Sequence, residues 1–204
     1  MKTPLLSALA LFATAALAAA AEPAAKPHCS RCAAPIPAVA PISDRSLYQL
    51  DAAWQTDAGQ AVTLTSLRGR PVVVAMFFAS CTYACPVLVS DLQRIREALP
   101  PEVRAKAAFV LVSFDTQRDT PAALHAYRER LGLDASWALL HGSAEDVQEL
   151  AMLLGVKYKQ DANGNFSHSN LITVLNAGGE IVHQRTGLQG DVAEMVRAIT
   201  EATR

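Results

Sequence analysis

From Pro71 the chain reads Val-Val-Val-Ala-Met-Phe-Phe to Phe78 without one polar side chain. A run of that length, rich in β-branched valine, predicts a strand buried on both faces, as in a parallel sheet. The period then changes. Leu88, Leu92, Ile95 and Leu99 follow at spacings of four, three and four, the apolar stripe of an amphipathic helix. Pro86 suits its first turn, and Pro100-Pro101 stops it. Residues 108–114 predict a second buried strand. Thr120 is placed to cap a helix that starts at Pro121 and runs to about Leu131. A short strand over 136–140 precedes a third helix, which opens at Ser143 with Asp146 as its acidic capping partner. Val147, Leu150, Ala151 and Leu154 form its inner stripe, and Gly155 ends it. Residues 171–175 and 180–184 predict a hairpin around Asn176-Ala-Gly-Gly179. A last helix spans about 191–202, with Val192, Val196 and Ile199 expected inside. Upstream, residues 47–65 read as short strands around Asp57-Ala58-Gly59, followed by a turn or helical step at 66–69. Strands alternating with helices predict an α/β sandwich.

Composition adds boundaries. The chain has 204 residues, 51% of them apolar, enough for one full core. A formal net charge of -1 offers no electrostatic case for nucleic acid. The first 21 residues read as an export signal: Lys2, an apolar run from Leu5 through Leu11, Phe12 and Leu17, then Ala19-Ala20-Ala21 before Glu22. The run is short for a membrane span, so cleavage and a periplasmic location are expected; an uncleaved signal would tether the protein to the membrane. Residues 22–44 are an Ala/Pro-rich linker, and 45–204 form the folded domain.

The cysteines change the picture most. There are four, in close pairs: Cys29 with Cys32, and Cys81 with Cys85. In an oxidising compartment such pairs are either local disulfides or dithiol sites. Cys81-Thr-Tyr-Ala-Cys85 follows the carboxyl end of a predicted strand, where sites of open α/β sheets lie. A helix start beside Cys85 favours a thiolate there. Two sulfurs four residues apart can close a local disulfide or clamp a soft ion such as copper(I) or zinc. A bridge over so few residues gains little stability, which favours reversible chemistry over a structural staple. Two sulfurs rarely complete a metal site, so a third ligand is expected. His125 falls in a helix and His183 in a strand, where surface or packing roles suit them; His141 ends a strand. His168, in Asn165-Phe-Ser-His-Ser169, precedes the hairpin and is expected to face the strand–helix junction. The cluster His28-Cys29-Ser30-Arg31-Cys32 reads equally as a second metal or redox site or as a local disulfide.

Three segments together resemble the Sco family: Cys81-Thr-Tyr-Ala-Cys85-Pro86, Ser113-Phe-Asp115-Thr-Gln-Arg-Asp119-Thr120-Pro121, and His168-Ser169. The resemblance covers about residues 45–200. It implies an α/β thioredoxin-like fold, a central mixed sheet flanked by helices, with an N-terminal β-hairpin extension. It implies one copper ion, Cu(I) or Cu(II), on Cys81, Cys85 and His168, with Cys81 and Cys85 also a redox-active pair. The implied role is a metallochaperone with thiol-disulfide oxidoreductase capability. Such a protein delivers copper to the CuA subunit of cytochrome c oxidase, or reduces its thiols, during assembly. The implied partners are that subunit, a copper donor chaperone and a thiol reductant; a monomer is expected. Asp115 and Asp119 match acidic positions near the site, with local capping as the alternative role. Thr82 stands where many members carry Pro. Two other functions compete. Thr82-Tyr-Ala-Cys85-Pro86 is similar to the Thr-x-x-Cys core of thiol peroxidases, although Phe78 replaces the Pro usual there. A general periplasmic disulfide reductase would use Cys-x-x-Cys in place of the present spacing. A copper sensor or buffer is the remaining alternative.

Overall fold

The computed structural model describes residues 41–203. The expected signal, the linker up to residue 40 and the cluster of His28, Cys29 and Cys32 lie outside the described residues. In chain order the elements are β1 (Trp54–Thr56), β2 (Ala61–Val62), β3 (Val72–Phe77), α1 (Ala84–Ala98), α2 (Pro101–Arg104), β4 (Ala108–Ser113) and α3 (Pro121–Arg130). There follow β5 (Trp137–His141), α4 (Ala144–Leu154), β6 (Tyr158–Gln160), β7 (Phe166–His168), β8 (Leu171–Leu175), β9 (Ile181–Thr186) and α5 (Ala193–Glu201). Single 3-10 turns cover Leu47–Gln49 and Leu64–Leu67.

Seven strands form one mixed sheet in the order β2-β1-β5-β4-β3-β8-β9. The centre is parallel: β3 runs beside β4, and β4 beside β5. Parallel neighbours need crossovers, and α1 and α3 provide them. All six residues of β3 and of β4 are buried, which is why their sequences carry no alternation. β8 and β9 complete one side antiparallel. On the other side β1 pairs antiparallel with β5, so the expected N-terminal hairpin extends the central sheet itself. Helices flank this sheet, as the mixed α/β reading requires. Arg128 on α3 ties that edge down: its Nη2 donates to Asp57 Oδ1 at 2.8 Å and its Nε to Oδ2 at 2.5 Å.

Local signals place the helices well. Thr120 Oγ1 accepts from Ala123 N–H at 3.3 Å, and Ser143 Oγ from Asp146 N–H at 3.1 Å. Gly155 closes α4 at φ 78°, a conformation that favours glycine. Three features depart from the sequence expectation. The two-proline stop after α1 opens the one-turn helix α2, as Pro can at a first helical position. Met195 and Ile199 are the buried face of α5, with Val192 and Val196 only half-buried. The segment expected as a loop before β8 contains the hairpin β6–β7, a separate two-stranded sheet. Its strands are three residues long, too short to show a period. Among the described residues no helix is long and apolar enough to cross a membrane.

Candidate metal centre

The site starts where β3 ends. Beyond Phe77 the chain must leave the sheet and turn into α1, and the peptide of Ala79 is gripped from two sides. Its N–H donates to the Asp119 carboxylate at 2.7 Å, and its carbonyl accepts from Arg130 at 3.0 Å. Asp119 is buried and also accepts from Ser113 Oγ at 2.6 Å. The end of β4 therefore holds the loop that follows β3. Asp119 serves this bridge as well as standing next to the helix start that was expected of it. Asp115, also buried, pairs with Arg118, while its own N–H donates to Ser113 Oγ at 3.0 Å.

With the loop so held, Cys81 is half-buried and Cys85 is fully buried. The first helical residue is Ala84, so Cys85 lies inside the first turn of α1 and does not precede it. Its N–H donates to Cys81 Sγ at 3.3 Å. Both cysteines are free thiols. Burial pushes the Cys85 thiol far above its ordinary range. A backbone hydrogen bond from Phe78 works against this, and Cys81 and Asp119 reinforce it. The expectation of a thiolate favoured at the helix start is therefore corrected for Cys85 in the metal-free protein: desolvation outweighs the dipole.

His168 ends β7 rather than lying in a loop. Its Nε2 stands 3.7 Å from Cys85 Sγ, and its Nδ1 is 3.2 Å from the Ser169 carbonyl. A proton on Nδ1 satisfies that carbonyl and leaves the Nε2 lone pair directed at the sulfur. The ligand atoms of Cys81, Cys85 and His168 all lie within 4.8 Å of one another. Among the described residues this is the group of three Cys, His, Asp or Glu side chains able to hold one ion. The other histidines are elsewhere: His125 near Asp57 and Glu129, His183 near Glu194, and His141 at the end of β5.

An aromatic wall backs the imidazole. The Phe114 and Phe78 ring centroids lie 5.1 and 5.8 Å from that of His168. Phe166 and Tyr158 pack on Phe114 in turn, at 5.1 and 5.0 Å. Nothing in the spacing of these residues reveals the cluster, because it assembles from β6, β7 and the residues just beyond β3 and β4. Tyr83, between the two cysteines, is 77% exposed.

The SCO1/SenC family model matches residues 46–204. The chain belongs to the SCO1/SenC family. A relative from Stutzerimonas stutzeri, named "Putative copper-binding protein", is 28% identical over 158 residues, 75% of this chain and 76% of that protein. Among solved structures, Arabidopsis thaliana ScoI with copper bound superposes with a TM-score of 0.64 at 20% identity, covering 74% of this chain and 94% of that one. BsSco, reported with a disulfide switch and as one of the Sco family of cytochrome c oxidase assembly proteins, superposes with a TM-score of 0.65 at 18% identity, covering 76% and 94%. These superpositions establish the Sco-type thioredoxin-like fold for this member.

Proposed function

We propose that this SCO1/SenC member is an extracytoplasmic copper-binding protein that carries one copper ion on Cys81, Cys85 and His168. The observation that carries the reading is the donor set: two sulfurs and an imidazole nitrogen converge within 4.8 Å. Thiolates select soft ions, and imidazole suits copper in either common oxidation state. A cation also resolves the Cys85 problem, since it supplies the positive charge that a buried thiolate lacks. The same two sulfurs form the redox pair. They deliver copper to the CuA subunit of cytochrome c oxidase during assembly or reduce that subunit's thiols, with a copper donor upstream and a thiol reductant to reset the pair. The copper-bound Arabidopsis neighbour and the oxidase-assembly role of BsSco support this direction. The export signal expected over the first 21 residues is consistent with a periplasmic location. Against the thiol peroxidase alternative stands the fully buried Cys85, whose raised pKa suppresses the thiolate a peroxide-reducing cysteine needs.

The test is direct. Reduced protein is expected to bind one copper(I), with sulfur and nitrogen neighbours seen by X-ray absorption. The double change Cys81→Ser, Cys85→Ser is expected to abolish it; retained binding would move the site elsewhere. His168→Ala is expected to weaken copper(II) more than copper(I), because two thiolates retain the softer ion. Mixing loaded protein with a soluble CuA domain, and following metal and thiols separately, distinguishes delivery from reduction.

A further inference from the structure

The hairpin that presents His168 has few anchors. β6 and β7 form a two-stranded sheet that shares no ladder with the central one. A lone two-stranded hairpin is marginal in water and needs support from other elements. Tyr158 and Phe166 supply apolar packing against Phe78 and Phe114. Such packing is non-directional and fixes the hairpin's position less closely than a directional bond would. Among the described residues, two polar side-chain contacts join the hairpin to segments distant in the sequence. One is Cys85 Sγ to His168 Nε2 at 3.7 Å. The other is Arg118 Nη2 donating to the Gly164 carbonyl at 2.5 Å. A metal on the site would claim both atoms of the first contact. The second would remain.

Arg118 is held to this task from behind. Its Nε pairs with the buried carboxylate of Asp115. Its guanidinium carbon lies 5.7 Å from the Phe166 ring centroid. The receiving tip is equally well defined. Gly164 sits at φ 80°, and Asp161 Oδ1 accepts from the N–H groups of Asn163 and Asn165 at 2.8 and 2.9 Å. A planar fork thus joins the hairpin tip to the loop between β4 and α3. That loop also contains Asp119, which grips Ala79 ahead of Cys81. Phe166 and His168 are two residues apart on β7 and so share a face, which carries the position of the tip to the imidazole.

We propose that Arg118 is a positioning residue that latches the β6–β7 hairpin and so sets His168 against the two sulfurs. The copper consequences rest on the reading of the site given above; the latch itself does not.

The experiment uses the reduced full chain as wild type, Arg118→Ala, Arg118→Lys and His168→Ala. In the metal-free protein, the His168 ring resonances report its place beside the Phe78 and Phe114 rings. Arg118→Ala is expected to move them toward those of an exposed histidine while amide signals of the central sheet stay in place. With copper(II) alone as probe, Arg118→Ala is expected to lose about tenfold in affinity and to shift the electron paramagnetic resonance spectrum toward that of His168→Ala. Copper(I) affinity is expected to stay at the wild-type value. Arg118→Lys keeps the charge but lacks the fork, and is expected to restore only part of the copper(II) signature. Unmoved His168 resonances in Arg118→Ala, or loss of amide dispersion across the whole molecule, would overturn the latch. A wild-type chain that binds no copper would instead sink the copper reading, and the metal-free resonances would still decide the latch.

Discussion

Cys81 and Cys85 lie four residues apart yet meet different surroundings. The dipole at a helix start is worth at most about 2 kcal/mol even in partly buried geometry. Withdrawing a charge from water costs several kcal/mol even after relaxation. At Cys85, with no exposed surface, the second effect wins and the thiol stays protonated. Cys81, half-buried at the mouth of the loop, is the sulfur a reagent or partner meets first. In the reduced metal-free chain, alkylation by iodoacetamide at neutral pH is therefore expected at Cys81 before Cys85. Mass spectrometry of Cys85→Ser and Cys81→Ser is expected to show a rate ratio of about tenfold or more in that order. Equal rates would contradict the burial argument. Cys81 and Cys85 were legible as candidates from residue type and position, and His168 from position together with the family resemblance. Their different access to solvent was not, because burial at Cys85 is decided by tertiary packing, including the approach of His168 from 83 residues along the chain.

Element by element, legibility followed local chemistry. The caps at Thr120 and Ser143 and the left-handed Gly155 act within a few residues, so pattern alone placed α3 and α4 well. The β6–β7 hairpin carries no comparable signal. Lys159, Gln160, Asp161 and Asn163 read as a polar loop, and only packing on Phe114 makes them a structured arm. The hairpin β1–β2 depends on a distant partner in the same way. Burial pushes the Asp57 carboxyl up, but its hydrogen bonds and charge pairing with Arg128 more than offset this and hold it below its ordinary 3.8. A carboxyl lowered on folding stabilises the fold above 3.8, and that contribution is lost as pH falls through the lower folded value. Arg128→Ala leaves the buried Asp57 without its guanidinium partner, with His125 at 3.5 Å as the remaining side-chain contact, and is expected to cost about 3 kcal/mol in urea unfolding at neutral pH. The wild type is expected to lose stability below pH 3.8, and that loss is expected to shrink in the variant. Parallel acid profiles for the two proteins would show that the pair carries no such linkage.

At the scale of the whole molecule, the parallel centre β5-β4-β3 and its antiparallel flanks bring three chain segments to one end of the sheet. These are the Cys81–Cys85 loop after β3, the Asp115–Asp119 loop after β4, and the arm carrying His168. Each was visible as a motif, and their order along the chain was enough to suggest the family. The cluster His28, Cys29 and Cys32 belongs to a part of the chain outside the described residues, and we propose it as a separate question of stoichiometry. The chain with Cys29→Ser and Cys32→Ser is expected to keep its main-site copper with an unchanged copper(II) spectrum. Any second equivalent of copper(I) bound by the wild type is expected to vanish with those two thiols, as metal analysis after gel filtration would show. An altered main-site spectrum would tie the arm to the centre. By itself the sequence determined the buried strands, the helix stripes and caps, and the identity of the Cys-x-x-x-Cys pair, because these follow from periodicity and from chemistry within a few residues. Only the tertiary structure decided that Asp119 grips the cysteine loop, that Arg118 meets the hairpin tip, and that Cys85 is sealed from water. Those outcomes depend on contacts between segments 40 to 83 residues apart (Asp119 to Ala79, Cys85 to His168), and no local pattern encodes which distant side chain closes over which.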